Sequence, residues 1–162
     1  MLAREIKDCL NQQMNEENYS SSFYLAISAY LDSQDLRGMA LWTRAQADRE
    51  RDHQMRFYNF LVDRGERAAP DKVPAPPVDW ISPYEALNHA YQHEQKLTKH
   101  FGSLLELAET HSDQATRNFL QAFVDTQADE EATLRAVLAR LKLAGTNPSA
   151  LLLVDQELGR QT

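Results

Sequence analysis

Residues 65–82 read GERAAPDKVPAPPVDWIS, and this stretch determines how the two halves of the chain can be arranged. Its four prolines interrupt a pattern in which apolar residues recur every three or four positions on both sides, as in amphipathic helices. In an extended, proline-rich conformation the stretch can reach about 50 Å, and a long flanking helix measures about 40 Å. The connection is therefore long enough to return along a whole helical bundle, although its length alone also permits a loose loop between antiparallel neighbours.

The rest of the chain has the pattern of four long helices and one short helix, with almost no strand-like alternation. Gly65 is a typical residue for the end of a helix and is predicted to end the second helix. Ser82, followed by Pro83 and Glu85, has the pattern of a helix start and is predicted to begin the third helix. The predicted helices cover residues 4–32, 36–64, 83–111, 113–143 and 148–159. This order predicts an all-α, single-domain fold over residues 1–162: a four-helix bundle with one long crossover between helices two and three and a short fifth C-terminal helix.

Composition narrows the range of possible partners. Hydrophobic residues make up 43% of the chain, as expected for a folded globular protein. A net charge of −7 argues against nucleic acid as a partner, and the longest strongly apolar run, residues 150–154, is far too short to span a bilayer. Cys9 is the only cysteine and the N-terminus lacks a signal-peptide pattern, so the sequence predicts a cytoplasmic protein that binds no membrane.

Acidic residues stand in the predicted core. Following each long helix at heptad-like spacing gives four inward rows that are apolar at both ends and polar in the middle. The middle positions that carry a carboxylate or an imidazole are Glu17, Glu50, His53, Glu94 and Glu130. Within each helical hairpin the carboxylates lie at nearly the same distance from the turn, so they are level near mid-helix. Either direction of helix three would bring all four together.

Carboxylates buried together repel one another and lose hydration, so a cluster of four needs protons, a buried cationic side chain or metal ions. The inward rows contain no Lys or Arg at this level, and two divalent cations would balance four negative charges. An oxygen-rich set with one imidazole favours iron or manganese over structural zinc. The spacing of Glu50 and His53 matches the Glu-x-x-His motif of dinuclear carboxylate sites, and Gln127-x-x-Glu130 is a variant of it.

Two further polar residues are candidates for the site. Tyr24 lies one heptad after Glu17, where a phenol can hydrogen-bond a ligand or give up an electron, and a packed core tyrosine is the alternative. Gln127 is predicted as an outer ligand or an oxygen-positioning group. The alternative is a polar core residue hydrogen-bonded to Glu94 or Tyr24.

At these residues, and over nearly its whole length, the chain resembles the bacterial non-haem ferritins, which belong to the ferritin-like di-iron carboxylate proteins. The segments that carry the resemblance are LNQQMNEENYSSSFY, AQADRERDHQMRFYNFL, HEQKLT and TQADEEATL. The resemblance implies a ferroxidase centre with two iron ions per subunit. Such a centre oxidises Fe(II) to Fe(III) with dioxygen or hydrogen peroxide, and hydrated ferric oxide is stored inside a homo-oligomeric cage of 24 subunits.

Departures from the family pattern modify these expectations. Relatives with a third iron site use carboxylates at the positions of Arg49, Thr126 and Asp129, and only Asp129 is acidic here, so we expect that site to be absent or weak. Bacterioferritins have His at position 130 and a haem-ligating Met at position 51, where this chain has Glu130 and Arg51. No haem is expected.

Two other functions stay open from the sequence. One is a di-iron oxidase or peroxide reductase of the same fold that stores nothing, although the chain lacks the cysteine pairs of an electron-donor module. The other is a non-enzymatic helical scaffold whose core carboxylates are protonated or hydrogen-bonded.

Overall fold

The computed structural model describes residues 1–162 and contains five α-helices and no strands. The helices are α1 (Arg4–Ser33), α2 (Arg37–Asp63), α3 (Pro83–Thr110), α4 (Gln114–Ala144) and α5 (Pro148–Gly159). Their ends differ from the predicted ends by at most one residue. None of the helices is both long and apolar enough to cross a membrane.

Local capping explains where α3 and α4 begin. The Ser82 hydroxyl accepts a hydrogen bond from Glu85 N, and the Glu85 carboxylate in turn accepts one from Ile81 N. Asp113 caps α4, because its carboxylate accepts a hydrogen bond from the amide of Thr116. These bonds satisfy backbone donors that have no partner within the helix.

The core consists of two apolar layers, one at each end of the bundle. The upper layer combines the end of α1, the start of α2, the start of α3 and the end of α4, with Leu31, Met39, Leu87 and Leu141 among its members. The lower layer combines the opposite ends of the same helices, with Leu10, Leu61, Leu104 and Leu120 among its members. Helix α2 therefore ends in the lower layer and α3 begins in the upper one, which confirms the long crossover.

The crossover, residues 64–82, follows α1 along its whole length. Near the start of α1, the Glu66 carboxylate accepts a hydrogen bond from Leu2 N. Further along, Asn11 Oδ1 accepts a 2.6 Å hydrogen bond from Ala69 N. At the other end of α1, Trp80 packs edge-on against Tyr30, with ring centroids 5.4 Å apart. Side chains of α1 thus guide the connection to the upper end.

Helix α5 packs closely against the N-terminus of α2. Asp155 is buried, and its Oδ1 accepts a 2.7 Å hydrogen bond from Met39 N. A carboxylate there interacts favourably with the positive end of the α2 dipole. Gly38 and Gly159 make this approach possible, because a Cβ atom at Gly38 would lie 1.9 Å from the Asp155 carbonyl oxygen.

Candidate metal centre

All four long helices contribute polar side chains to the level between the two apolar layers. These side chains are Glu17 and Tyr24 of α1, Glu50 and His53 of α2, Glu94 of α3, and Gln127 and Glu130 of α4. All are buried except His53, which is partly exposed. The structure thus brings every predicted site residue into one region, but it divides them into three groups with different partners.

The first group is Glu17, Glu50 and His53, whose candidate ligand atoms all lie within 4.8 Å of one another. His53 Nδ1 is 3.3 Å from Glu50 Oε2 and 3.7 Å from Glu17 Oε2. Glu17 Oε2 has no hydrogen-bond partner although the side chain is fully buried. A buried carboxylate oxygen without a donor requires an explanation, and a cation bound among these three residues supplies one.

Electrostatics in this group follow from its burial. Burial raises the pKa of the Glu50 carboxyl group, and the Glu17 carboxylate raises it further. Burial alone would lower the pKa of His53, but the facing carboxylates of Glu17 and Glu50 outweigh burial and raise it. Without a cation, protons must therefore reduce the negative charge of the group, and a divalent ion could replace them.

Gln13 is part of the site, and the sequence analysis did not identify it. Its side chain is fully buried one helical turn before Glu17, and its Nε2 donates a 2.7 Å hydrogen bond to Glu17 Oε1. This bond engages one carboxylate oxygen and leaves Oε2 facing His53. The spacing of four residues in a helix, which places Gln13 on the face of Glu17, is the signal that could have revealed it.

The second group is built around Glu94. Tyr24 Oη donates a 2.6 Å hydrogen bond to Glu94 Oε1, and Gln127 Nε2 donates a 3.0 Å hydrogen bond to Oε2. Burial and the Glu50 carboxylate raise the pKa of Glu94 to about 8, although the two hydrogen bonds act in the opposite direction. Burial and the adjacent Glu94 also raise the pKa of Tyr24 well above its usual value, so the phenol keeps its proton.

The third group contains a cation that the sequence analysis missed. Arg49 Nη2 lies 3.0 Å from both carboxylate oxygens of Glu130, and it also donates to Gln46 Oε1. The inward rows themselves contain no Lys or Arg, as predicted, but a cation from outside the rows reaches this level. Arg49 starts from the flank of α2, and its long side chain brings the charged head to Glu130. Burial raises the pKa of Glu130, and the guanidinium opposes this increase.

The other two positions linked to a third iron site are Thr126 and Asp129, and neither side chain carries a positive charge. The Thr126 hydroxyl donates a 2.9 Å hydrogen bond to the Ala122 carbonyl oxygen, and the Asp129 side chain is exposed. The guanidinium of Arg49 is thus the group that provides positive charge beside Glu130.

The fold and these side chains together define a class of protein: a four-helix bundle with an internal, carboxylate-rich site suited to metal ions. The donor set of carboxylate oxygens and one imidazole nitrogen fits first-row divalent metals. The family model described as "Ferritin-like domain" matches residues 7–144. The chain therefore belongs to the ferritin family.

Individual relatives agree with this assignment. The chain is 36% identical to the bacterial non-heme ferritin of Staphylococcus aureus over 162 residues, which cover 100% of this chain and 98% of the relative. It is 30% identical to the bacterial non-heme ferritin of Bacteroides fragilis over 161 residues, 99% of this chain and 100% of the relative.

Solved structures lead to the same family. The open-pore ferritin of the archaeon Archaeoglobus fulgidus superposes with a TM-score of 0.97 at 38% identity, covering 98% of both chains. A form of the same archaeal ferritin engineered to be closed superposes with a TM-score of 0.96, also at 38% identity, over 98% of this chain and 97% of that one.

Proposed function

We propose that the chain is an iron-storage ferritin whose subunit oxidises Fe(II) at a dinuclear ferroxidase centre. The single observation that carries the proposal is the buried group of Glu17, Glu50 and His53, in which Glu17 Oε2 has no protein donor. Membership of the ferritin family supports iron as the ion.

The proposed centre uses the three groups in different ways. Glu17, Glu50 and His53 are already close enough to one another to take a first Fe(II). Glu94 and Glu130 complete the ligand set for a second. Gln127 holds Glu94 through its amide and is proposed to position the oxidant.

The proposed reaction is a pair of one-electron oxidations. Each Fe(II) loses one electron, and dioxygen accepts both electrons and two protons to become hydrogen peroxide. Where hydrogen peroxide is the oxidant, the same two electrons and two protons reduce it to water. Anionic oxygens stabilise the higher charge of Fe(III). Where only one Fe(II) is left to reduce hydrogen peroxide, Tyr24 is proposed to supply the second electron and become a phenoxyl radical, its proton passing to Glu94 Oε1 across the 2.6 Å hydrogen bond.

The test of the centre is replacement of a ligand. Glu50→Ala should abolish the fast phase of aerobic Fe(II) oxidation in stopped-flow absorbance, because it removes a carboxylate from the group that takes the first ion. Asp52→Ala is the control, since Asp52 is an exposed acidic residue on the same helix. An unchanged initial rate in Glu50→Ala would refute the centre.

The proposal extends to assembly and storage. We propose a cytoplasmic, homo-oligomeric cage of 24 subunits in which Fe(III) collects as hydrated oxide, because the similar chains and structures are ferritins. Size-exclusion chromatography with light scattering tests this directly. A very large shell that retains iron supports storage, whereas a dimer would favour a di-iron oxidase or peroxide reductase that stores nothing.

A further inference from the structure

The two halves of the candidate centre differ in their readiness to bind a cation. Glu17, Glu50 and His53 form a compact group in which one carboxylate oxygen, Glu17 Oε2, has no hydrogen-bond partner. Glu130, in contrast, is already paired with a positive charge, because Arg49 Nη2 lies 3.0 Å from each of its carboxylate oxygens. A cation approaching Glu130 must therefore share the carboxylate with the guanidinium or displace it.

The Arg49–Glu130 pair is weak enough to be displaced. The Glu130 side chain is only 9% exposed, but the Arg49 side chain is 51% exposed. Solvent screening at such a half-exposed cation weakens the ion pair. A divalent ion carries twice the charge of the guanidinium and would repel it at close range.

Arg49 also has another acceptor available when it leaves Glu130. Its Nη2 donates to the Oε1 atom of Gln46, one turn earlier on α2, and Gln46 is itself buried. Both residues line a cleft of about 370 Å³ that also reaches Glu130 and the exposed Asp129. The guanidinium can therefore withdraw into this cleft without losing every hydrogen bond.

We propose that Arg49 is a positioning residue that withholds Glu130 from metal until the second ion displaces its guanidinium, so that the two ions load in a set order. The first ion binds at Glu17, Glu50 and His53, and the second binds more weakly on the side of Glu94 and Glu130. Arg49 thus acts as a tethered cation beside Glu130. This inference rests on the proposed dinuclear centre.

The experiment is a titration with Co(II), a redox-stable substitute for Fe(II) whose visible absorption reports its ligands. Isothermal calorimetry and the absorption bands should resolve two ions per chain in the wild-type protein, with the first bound more tightly. In Arg49→Gln, the affinity for the second ion should rise about fivefold, because the ion no longer has to displace the guanidinium. A fivefold change corresponds to about 1 kcal/mol. The affinity for the first ion should stay unchanged.

Two further variants separate position from charge. Arg51→Gln removes the same charge from an exposed neighbour and should leave both affinities unchanged. Arg49→Lys keeps the charge but loses the planar guanidinium. Its affinity for the second ion should therefore lie between those of the wild type and Arg49→Gln. It also provides a milder substitution if Arg49→Gln assembles poorly.

The outcomes distinguish this inference from the proposed function. If Arg49→Gln binds the second ion with unchanged or lower affinity, the proposed role of Arg49 is overturned. The dinuclear centre itself is not affected by that result. An equal rise in the affinities for both ions also overturns the role of Arg49, because that result indicates a general charge effect. If the wild-type protein binds no pair of ions, the dinuclear centre fails, and the loading order fails with it.

Discussion

Gln13 Nε2 donates a 2.7 Å hydrogen bond to Glu17 Oε1, and this bond selects which oxygen of Glu17 faces the other site residues. The opposite oxygen, Oε2, lies 3.7 Å from His53 Nδ1 and has no donor of its own. A buried amide thus orients a carboxylate that is proposed to bind metal. Replacing a residue that orients a metal ligand in this way typically lowers metal affinity by about 10- to 100-fold.

Replacement of Gln13 by Leu tests this relationship. The substitution keeps a side chain of similar size and removes the only donor to Glu17 Oε1, so the carboxylate loses its fixed orientation. We expect the affinity for the first Co(II) ion to fall by about tenfold in calorimetric titration. Gln12→Leu is the matched control, because Gln12 is the exposed neighbour on the same helix. Equal first-ion affinities in the two variants would show that Gln13 has no orienting role.

Replacement of Gly38 by Ala tests how α5 is held. The new Cβ atom would meet the Asp155 carbonyl oxygen at 1.9 Å, and a backbone atom cannot move away without moving the helix. We expect the hydrogen bond from Met39 N to Asp155 to break and α5 to detach while α1 to α4 stay folded. Hydrogen–deuterium exchange of residues 148–159 should accelerate by about tenfold or more, a loss of about 1.4 kcal/mol of local stability.

Gly102→Ala is the control for this experiment. Gly102 lies within α3, and a Cβ atom there meets nothing within 4 Å. Alanine should therefore stabilise α3 by about 0.5–1 kcal/mol through its higher helix propensity, without affecting α5. If α5 exchanges at the wild-type rate in Gly38→Ala, the close packing at Gly38 is not what holds α5 in place.

The pH dependence of stability should reveal the ion pair of Arg64 and Asp113, which joins the end of α2 to the start of α4. Burial acts to raise the pKa of Asp113, but hydrogen bonds from Arg64 and Thr116 outweigh it and lower the pKa to about 2. The pKa of an unfolded aspartate is about 3.9. The folded value is the lower one, so the charged group stabilises the fold above about pH 4, and this contribution disappears as the pH falls towards 2.

Asp113→Asn isolates that contribution, because asparagine caps a helix as well as aspartate does. At pH 7 we expect the variant to be less stable by about 1 kcal/mol in urea denaturation, and the difference should shrink between pH 4 and pH 3. Asp63→Asn removes a charge from an exposed residue nearby and should show no such trend. A difference that stays constant with pH would mean that the charge of Asp113 does not stabilise the fold.

The helices and the inward direction of the acidic residues were predictable because both follow from the period of one helix. Glu50 and His53, three positions apart, share a face with the apolar residues of α2 whatever the other helices do. The same argument placed Glu17, Glu94 and Glu130 in the core, and all three are buried.

The direction of α3 was not predictable in the same way. The four carboxylates lie near mid-helix, so they meet whether α3 runs up or down. Contacts distant in sequence decide the direction: Asn11 bonds to Ala69, and Tyr30 packs against Trp80, so the crossover is held along α1.

The sequence by itself determined the five helices, the buried carboxylates and the need to neutralise their charge, since helical period and charge are local properties of the chain. Only the tertiary structure decided which partner each carboxylate has. Arg49 points away from the inward row by phase, yet its flexible side chain ends at Glu130, which lies 81 positions later. The position of such a charged group depends on which helix packs alongside it, because several single bonds separate it from its own backbone.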